Sequence, residues 1–315
     1  MRILLTMLLG LWMAVAPGVR VAAAADAPQE RPATAGPIIV DSAIPVAPGQ
    51  LSLQPFWSLT FVAGNLTADG RRVCAGGNYR SLQIPVKVTY GLMRNMEIYA
   101  ELPFIHNWAG GVHGPEAPGN RAAGFSGVGD LAVTLKYQLL EETARCPTVS
   151  VILTTDFPTG HHFRTNPARL GTDFLGAGAF SWTAGANLSK WLGPVYLSSN
   201  LWYSISDREI EAPTNLGANP LMAPVLGRDL ITWNMAAEWP LTGGWVALLE
   251  FYSSWGVGPL FRRPRQPPSI LIGLLPGIEY VFNPHWSCAL GVAIDVAGKN
   301  SLYGYTPIFT VTMTY

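Results

Sequence analysis

The sequence is short of charge. Only 13% of its residues are Asp, Glu, Lys or Arg, about half the share found in a soluble domain. A surface with so little charge is not built to face water everywhere. The two signs balance, 20 basic residues against 20 acidic, so no basic excess marks a nucleic-acid binder. Long apolar runs are also missing beyond the first residues. The longest later run, around Ile270 to Pro276, is far below the roughly 18 residues a spanning helix needs. Cysteine is scarce, and Cys74, Cys146 and Cys288 have no metal-ligand spacing. A mature chain short of charge and without spanning helices has one way left to live in a membrane, as a closed barrel.

What is present supports that form. Residues 1–25 read as a secretory signal, with Arg2 as the basic start, Ile3 to Val15 as the apolar stretch and Ala23-Ala24-Ala25 as the small-residue cleavage site before Asp26. An uncleaved anchor is the alternative, for which the run is short. Removal of the signal leaves 18 basic against 20 acidic residues. No Cys stands at the cleavage site, so no lipoprotein is expected. Residues 26–49 are rich in Pro and Ala with little periodicity. They read as an extended periplasmic segment or as a plug folded into a lumen. Residues 50–315 form the expected barrel, and the 33 glycines and 26 prolines suit a turn-rich β protein.

From Gln50 onward apolar and polar residues alternate. Leu82, Ile84, Val86, Val88 and Tyr90 are followed by a turn at 91–95, then by Met96, Ile98, Ala100, Leu102 and Phe104. Pairing Tyr90 with Met96 puts every apolar side chain on one face and sets Lys87 diagonally from Glu97 and Glu101 on the other. Similar stretches of about ten residues recur to Phe309, Val311, Met313 and Tyr315, the signature of transmembrane barrel strands. They number about twelve, with the sixth starting near Phe174. Pro85, Pro103, Pro276 and Pro307 fall inside them, where each removes a ladder hydrogen bond. Long connections (62–80, 106–126, 161–173, 206–227, 256–268 and the shorter 297–305) alternate with short ones (91–95, 140–146, 189–193, 241–244, 282–285). The long ones are assigned to the cell exterior and both termini to the periplasm.

Aromatic residues flank both sets of connections, Tyr90, Tyr137, Trp239, Trp245, Trp286 and Tyr315 at the short turns, Phe104, Phe157, Phe174, Tyr203, Trp255 and Tyr305 near the long loops. Two such belts fit the two interfaces of a membrane. A soluble sandwich would gather its aromatics in mid-strand.

Little in the sequence points to catalysis. Gly127-Val128-Gly129-Asp130-Leu131-Ala132 has the spacing of a dinucleotide loop, but a loop precedes it and an alternating strand follows, where the nucleotide site needs a strand and then a helix. His161-His162 lies in a long loop without partners at ligand spacing, and no nucleophile, base and orienting acid converge. No catalytic, metal or cofactor residues are assigned, and three free thiols are expected, with Cys74 and Cys146 on opposite sides of the membrane and Cys288 facing lipid. The lumen-facing set is richer: Lys87, Glu97, Tyr99, Glu101, Lys136, Gln138, Asp156, Asn234, Glu238, Glu250 and Glu279. Its carboxylate surplus favours cations or neutral solutes, while paired charges that simply fill the lumen are the alternative. Twelve strands lie between a filled eight-strand barrel and an open sixteen-strand porin, so a narrow or gated path is expected.

Gly127-Val128-Gly129-Asp130-Leu131 with Leu135-Lys136-Tyr137 resembles the G-x-G-D-L and K-Y segment of the outer-membrane family labelled "MetA-pathway of phenol degradation". Asp156-Phe157-Pro158-Thr159-Gly160 resembles its P-T-G, and Glu101-Leu102-Pro103-Phe104 also fits. Arg31-Pro32 with Pro48-Gly49-Gln50-Leu51 is similar to its approach to the first strand. The resemblance implies an outer-membrane barrel of transporter type, near aromatic-compound breakdown, with no catalytic residues. The expectation is an outer-membrane channel for small molecules, aromatic or hydrophobic ones among them. A structural barrel with a blocked lumen and a lipid-modifying enzyme are the alternatives. Expected partners are membrane lipid, the barrel-assembly machinery through Tyr315, and lipopolysaccharide phosphates through loop arginines (Arg71, Arg72, Arg121, Arg164, Arg169, Arg262, Arg263, Arg265).

Overall fold

Residues 36–114, 117–162, 166–208, 229–258 and 267–315 are described by a computed structural model, without the side chains of 75, 76, 112–121 and Pro167. The expected signal segment 1–25 and the first part of 26–49 lie outside the described residues. Thirteen strand segments follow one another: β1 (Leu51–Leu66), β2 (Arg72–Met93), β3 (Met96–Gly114), β4 (Ala117–Val128), β5 (Leu131–Leu140), β6 (Thr148–Phe157), β7 (Ser181–Leu192), β8 (Val195–Ser206), β9 (Asp229–Pro240), β10 (Trp245–Val257), β11 (Ser269–Asn283), β12 (Trp286–Lys299) and β13 (Ser301–Thr314). Each pairs antiparallel with its neighbours, and β1 closes the sheet on β13 from Ser52↔Thr314 to Leu66↔Ser301. β4 and β5 both pair with β3, β4 along Phe104–Gly114 and β5 along Met96–Glu101. They are two halves of one stave, broken at Gly129 and Asp130. The barrel therefore has twelve staves, the even number expected of a bacterial outer-membrane barrel.

Alternation explains why these segments are strands and which way they face. Val86, Val88, Leu102, Phe104, Leu153, Leu201, Leu249, Leu274 and Leu290 are exposed on the outside. Thr89, Glu97, Thr134, Lys136, Ser150, Asn187, Asn200, Asn234 and Glu250 are buried within. Apolar outside and polar inside inverts a soluble protein and suits a wall bathed in lipid. Exposed Tyr90, Tyr137, Trp239, Trp245, Trp286 and Tyr315 ring the turn end, and exposed Phe104, Phe157 and Tyr305 ring the loop end. The amide of Leu51 donates to Tyr315 O at 2.9 Å and the amide of Tyr315 to Leu51 O at 2.8 Å, which ties the chain end into the closure.

Three sequence expectations change. Tyr90 faces Ile98 rather than Met96, so the β2–β3 register moves by two. The turn is only Arg94-Asn95, with a bulge between Gly91 and Met93. A shift of two keeps every residue on its face, but it sets Lys87 directly opposite Glu101. Second, several expected loops are strand. β1 and β2 leave only 67–71 between them, so Cys74 sits in β2 opposite Gly64. β3 and β4 continue their hairpin through most of 106–126, and Asn300 alone separates β12 from β13. Outside the lipid slab a strand needs no apolar face, so alternation does not betray it. Third, the sixth strand starts at Ser181 and not near Phe174. Residues 166–180 fold inward instead.

Pro85, Pro103, Pro276 and Pro307 each interrupt the ladder on one side only. β1–β2 pairing passes from Pro55↔Val86 to Ser58↔Gln83 beside Pro85, and β1–β13 passes from Ser58↔Ile308 to Phe61↔Tyr305 beside Pro307. β11–β12 passes from Leu274↔Ile294 to Gly277↔Gly291 beside Pro276. Pro103 lies at the junction where β3 changes partner from β5 to β4.

Candidate functional site

The lumen holds part of the chain itself. Residues 36–50, here called the strap, cross the barrel interior before β1 begins. Gly49 N–H donates to Gly91 O (2.8 Å) and Gly91 N–H to Gln50 O (3.0 Å), fixing its base at the turn end of β2. Gly91 must lack a side chain, since a Cβ there would stand 2.0 Å from Ala47 O. Further along, wall side chains capture main-chain amides. Val46 N–H donates to Glu97 Oε2 (2.6 Å) and Ala43 N–H to Ser189 Oγ (3.1 Å). Asn200 accepts from Asp41 N–H (2.8 Å) and returns a bond to Asp41 O (2.7 Å). On the far wall, Glu250 accepts the consecutive amides of Ile38 (2.6 Å), Ile39 (2.9 Å) and Val40 (2.9 Å). Ile38 itself packs with Val246, Leu248, Leu275 and Ala289, an apolar cluster inside an otherwise polar lumen.

Charge fastens the middle of the strap. Lys136 Nζ lies 2.9 Å from both Asp41 Oδ2 and Glu97 Oε1, and donates to Ser42 O at 2.8 Å. Lys87 Nζ reaches Asp41 Oδ1 at 3.5 Å and sits over the Tyr99 ring, 4.1 Å from its centroid. Asn187 donates to Asp41 Oδ2 (3.0 Å) and accepts from the indole N–H of Trp202 (2.7 Å). Burial alone raises the pKa of Asp41, but the ammonium groups of Lys136 and Lys87 outweigh it and hold the carboxyl below its ordinary value of 3.8.

Against the strap, whose residues form part of its lining, lies a cavity of about 470 Å³. Six of the eleven lumen candidates line it: Lys87, Glu97, Tyr99, Glu101, Lys136 and Asp156. Glu101, Ala132 and Asp156 form one row across β3, β5 and β6, with the small Ala132 leaving room between the two carboxylates. Phe56 and Trp202 add apolar faces, and Thr89, Thr154, Thr183 and Ser204 add hydroxyls. Four more, Asn234, Glu238, Glu250 and Glu279, are buried elsewhere in the wall. Glu250 holds the strap, Asn234 Oδ1 accepts from Ser253 N–H at 3.2 Å, and Glu238 and Glu279 are fully buried beside Leu248 and Val246. Gln138 lies at the turn end and donates to Leu140 O at 3.3 Å.

The charged pairing expected for Lys87 also changes: its ion-pair partner is Asp41 of the strap. Sequence reading missed Asp41, Asn187, Ser189, Asn200 and Trp202. Strand alternation marks the wall residues as inward, but nothing local shows that a distant main chain lies against them.

The histidines serve structure. His161 Nδ1 is 2.8 Å from Asp173 O and His162 Nδ1 is 2.8 Å from Gly160 O. All three cysteines are free, with Cys74 and Cys146 exposed. Among the described residues no cluster of metal-ligand type occurs. Arg71 pairs with exposed Asp69 at 2.6 Å, Arg72 donates to Val296 O at 2.9 Å, and Arg169 stacks over Phe125. The Arg121 side chain and Arg164, Arg262, Arg263 and Arg265 lie outside the described residues.

A closed barrel with an apolar exterior, two aromatic belts and a polar, partly filled lumen is an outer-membrane β-barrel. The sequence profile of the family described as "Putative MetA-pathway of phenol degradation" matches residues 86–309, and the chain belongs to that family. In fold it is similar to the COG4313 outer membrane channel from Pseudomonas putida F1, with a TM-score of 0.67 at 12% identity, covering 90% of this chain and 100% of that one. Less similar are the NanC porin (TM-score 0.49, 8% identity, 84% and 98% covered) and the Ralstonia pickettii toluene transporter TbuX (TM-score 0.43, 9% identity, 85% and 90% covered). No functionally curated protein matches the chain with significance.

Proposed function

We propose that this protein is an outer-membrane channel for small molecules, with hydrophobic or aromatic compounds as its solute class and the strap as a plug. The observation that carries this reading is the cavity inside the barrel. At about 470 Å³ it falls within the range of small-molecule sites, and it sets Phe56, Tyr99 and Trp202 among hydroxyls and carboxylates. The strap crosses the lumen on its turn side. Family membership agrees with a role beside aromatic-compound breakdown. On this reading the loop end faces the exterior and the strap the periplasm, with lipopolysaccharide around the loop end and the assembly machinery reading Tyr315.

Flux of small aromatics into proteoliposomes tests the proposal. The full chain should pass them slowly, and a variant lacking 36–46 should pass them faster. Absence of solute flux and of bilayer conductance from both, with the barrel folded, overturns it in favour of a blocked structural barrel.

A further inference from the structure

We propose that residues 166–180 form a constriction folded into the loop end of the lumen, and that Asp130 is the positioning residue that holds it there. The inference rests on the channel reading and names a second element that narrows the path, distinct from the strap.

β6 ends at Phe157, and Pro158-Thr159-Gly160 turns the chain inward. At the same level the stave β4–β5 is broken. Thr159 spans the break: its hydroxyl donates to Gly129 O and accepts Leu131 N–H, both at 2.9 Å. The main-chain groups freed by the break are thereby satisfied. Asp130 then ties both ends of the inward excursion. Its Oδ1 accepts Gly160 N–H at 2.9 Å and its Oδ2 accepts Ala177 N–H at 2.6 Å. The fit is tight enough to require glycine, since a Cβ on Gly176 would stand 2.3 Å from Asp130 Oδ1.

The returning arm lies against the inward face of β3. Asn107 donates to Thr172 O (2.9 Å) and Phe174 O (3.2 Å). Leu170 packs on Ala109, and Leu175 fills the space left by Gly127, where a Cβ would meet its methyl at 2.7 Å. Thr172, Asp173, Leu175 and Ala179 are buried. Inward residues of β3 point into the lumen, so an arm seated on them occupies part of the cross-section. The clamp also lies next to the cavity, because Ala132 and Asp156 stand two positions from Asp130 and Pro158. The two glycine motifs at 127–131 and 158–160 thus form one device, a broken stave and a carboxylate that pins an infolded arm. Bonds from main-chain donors to an ionised carboxylate are about twice as strong as neutral ones. An asparagine in its place can accept from one of the two amides and must turn its NH₂ toward the other.

The test compares the full chain with Asp130→Asn, and with Asn107→Ala, which loosens the arm from another strand should Asp130→Asn fail to assemble. A third variant, Gly127→Cys with Leu175→Cys in a chain whose native cysteines are replaced by serine, locks the arm by a disulfide. Hydrogen exchange at 170–177 and single-channel conductance in planar bilayers are read on each. Loosening should speed arm exchange tenfold or more while the strands stay protected, and should raise conductance or its fluctuation. The lock should quiet those fluctuations until reductant is added. Unchanged arm exchange in folded Asp130→Asn overturns the clamp. Faster exchange with unchanged conductance overturns the constriction. No current from any variant, even without residues 36–46, overturns the channel reading instead, and exchange alone then decides the clamp.

Discussion

Replacing Lys136 with methionine isolates what the buried charges do for the strap. Met keeps much of the length and volume of the side chain, so packing changes little. The ammonium is lost from a site where it meets Asp41 Oδ2 and Glu97 Oε1 at 2.9 Å each and Ser42 O at 2.8 Å. Lys136 is only 2% exposed, so water cannot take over its part. Removing one partner of a buried ion pair costs about 3–5 kcal/mol. Lys87 remains 3.5 Å from Asp41 and shields it, which places the cost near the lower bound, about 3 kcal/mol. Asp41 escapes that cost by leaving with the strap, whereas Glu97 is fixed in β3. The loss therefore falls on docking of the strap and not on the barrel. It corresponds to a roughly 150-fold weaker docking equilibrium, at 1.4 kcal/mol per tenfold. Hydrogen exchange of the Val40, Asp41, Ala43 and Val46 amides reads this directly, with retained heat-modifiable mobility of the barrel as the control. Adding Asp41→Asn should restore tenfold or more of the protection, because it removes one stranded charge. Equal protection in the parent and in Lys136→Met, or no gain from the second change, would refute the reasoning.

Three further outcomes are expected. Asp41 has its docked pKa held below 3.8, so its contribution to docking is complete above that value and disappears as pH falls through the docked pKa; protection of the Asp41 and Ala43 amides should show a step below about pH 4 that is missing in Asp41→Asn despite the neighbouring Glu97, Glu101, Tyr99, Lys87 and Lys136. Glu250→Gln leaves one acceptor for three amides (Ile38, Ile39, Val40) and should raise their exchange tenfold or more, well beyond the change at Val46, since a bond to a charged group contributes about 1.5–3 kcal/mol. A membrane-impermeant maleimide applied to intact cells should label Cys74 and spare Cys146, both exposed but at opposite ends; equal labelling would invert or abolish the assigned orientation.

The barrel was readable because a lipid-facing wall forces alternation on every stave. That pattern placed β2, β3, β5, β9, β10 and β13 and assigned their faces even where the register slipped by two at Arg94-Asn95. It failed where the physics that creates it stops. Beyond the lipid, β3 and β4 run on through Gly-rich sequence with no apolar face to reveal them. Ser181 begins its strand late because Gly176 serves the arm, packed on Asp130. The lumen was half legible. Lys136, Glu97 and Glu250 announced themselves as inward charges, but Glu97 and Glu250 hold amides between Ile38 and Val46 and Lys136 holds the Ser42 carbonyl, and a main-chain group carries no sequence signature. Asp130 and Thr159 were visible as a motif, yet the break they bridge is a property of two strands together.

The strap enters its site largely through its main chain, while Ile38, Ile39 and Asp41 also carry side-chain contacts. The wall thus recognises a path more than a text. Val46, held by its amide, can drift among related sequences while Glu250 and Glu97 stay, so the two sides of one interface should age at different rates. Any comparison that aligns the segment by its letters will find it poorly preserved where its role is best kept.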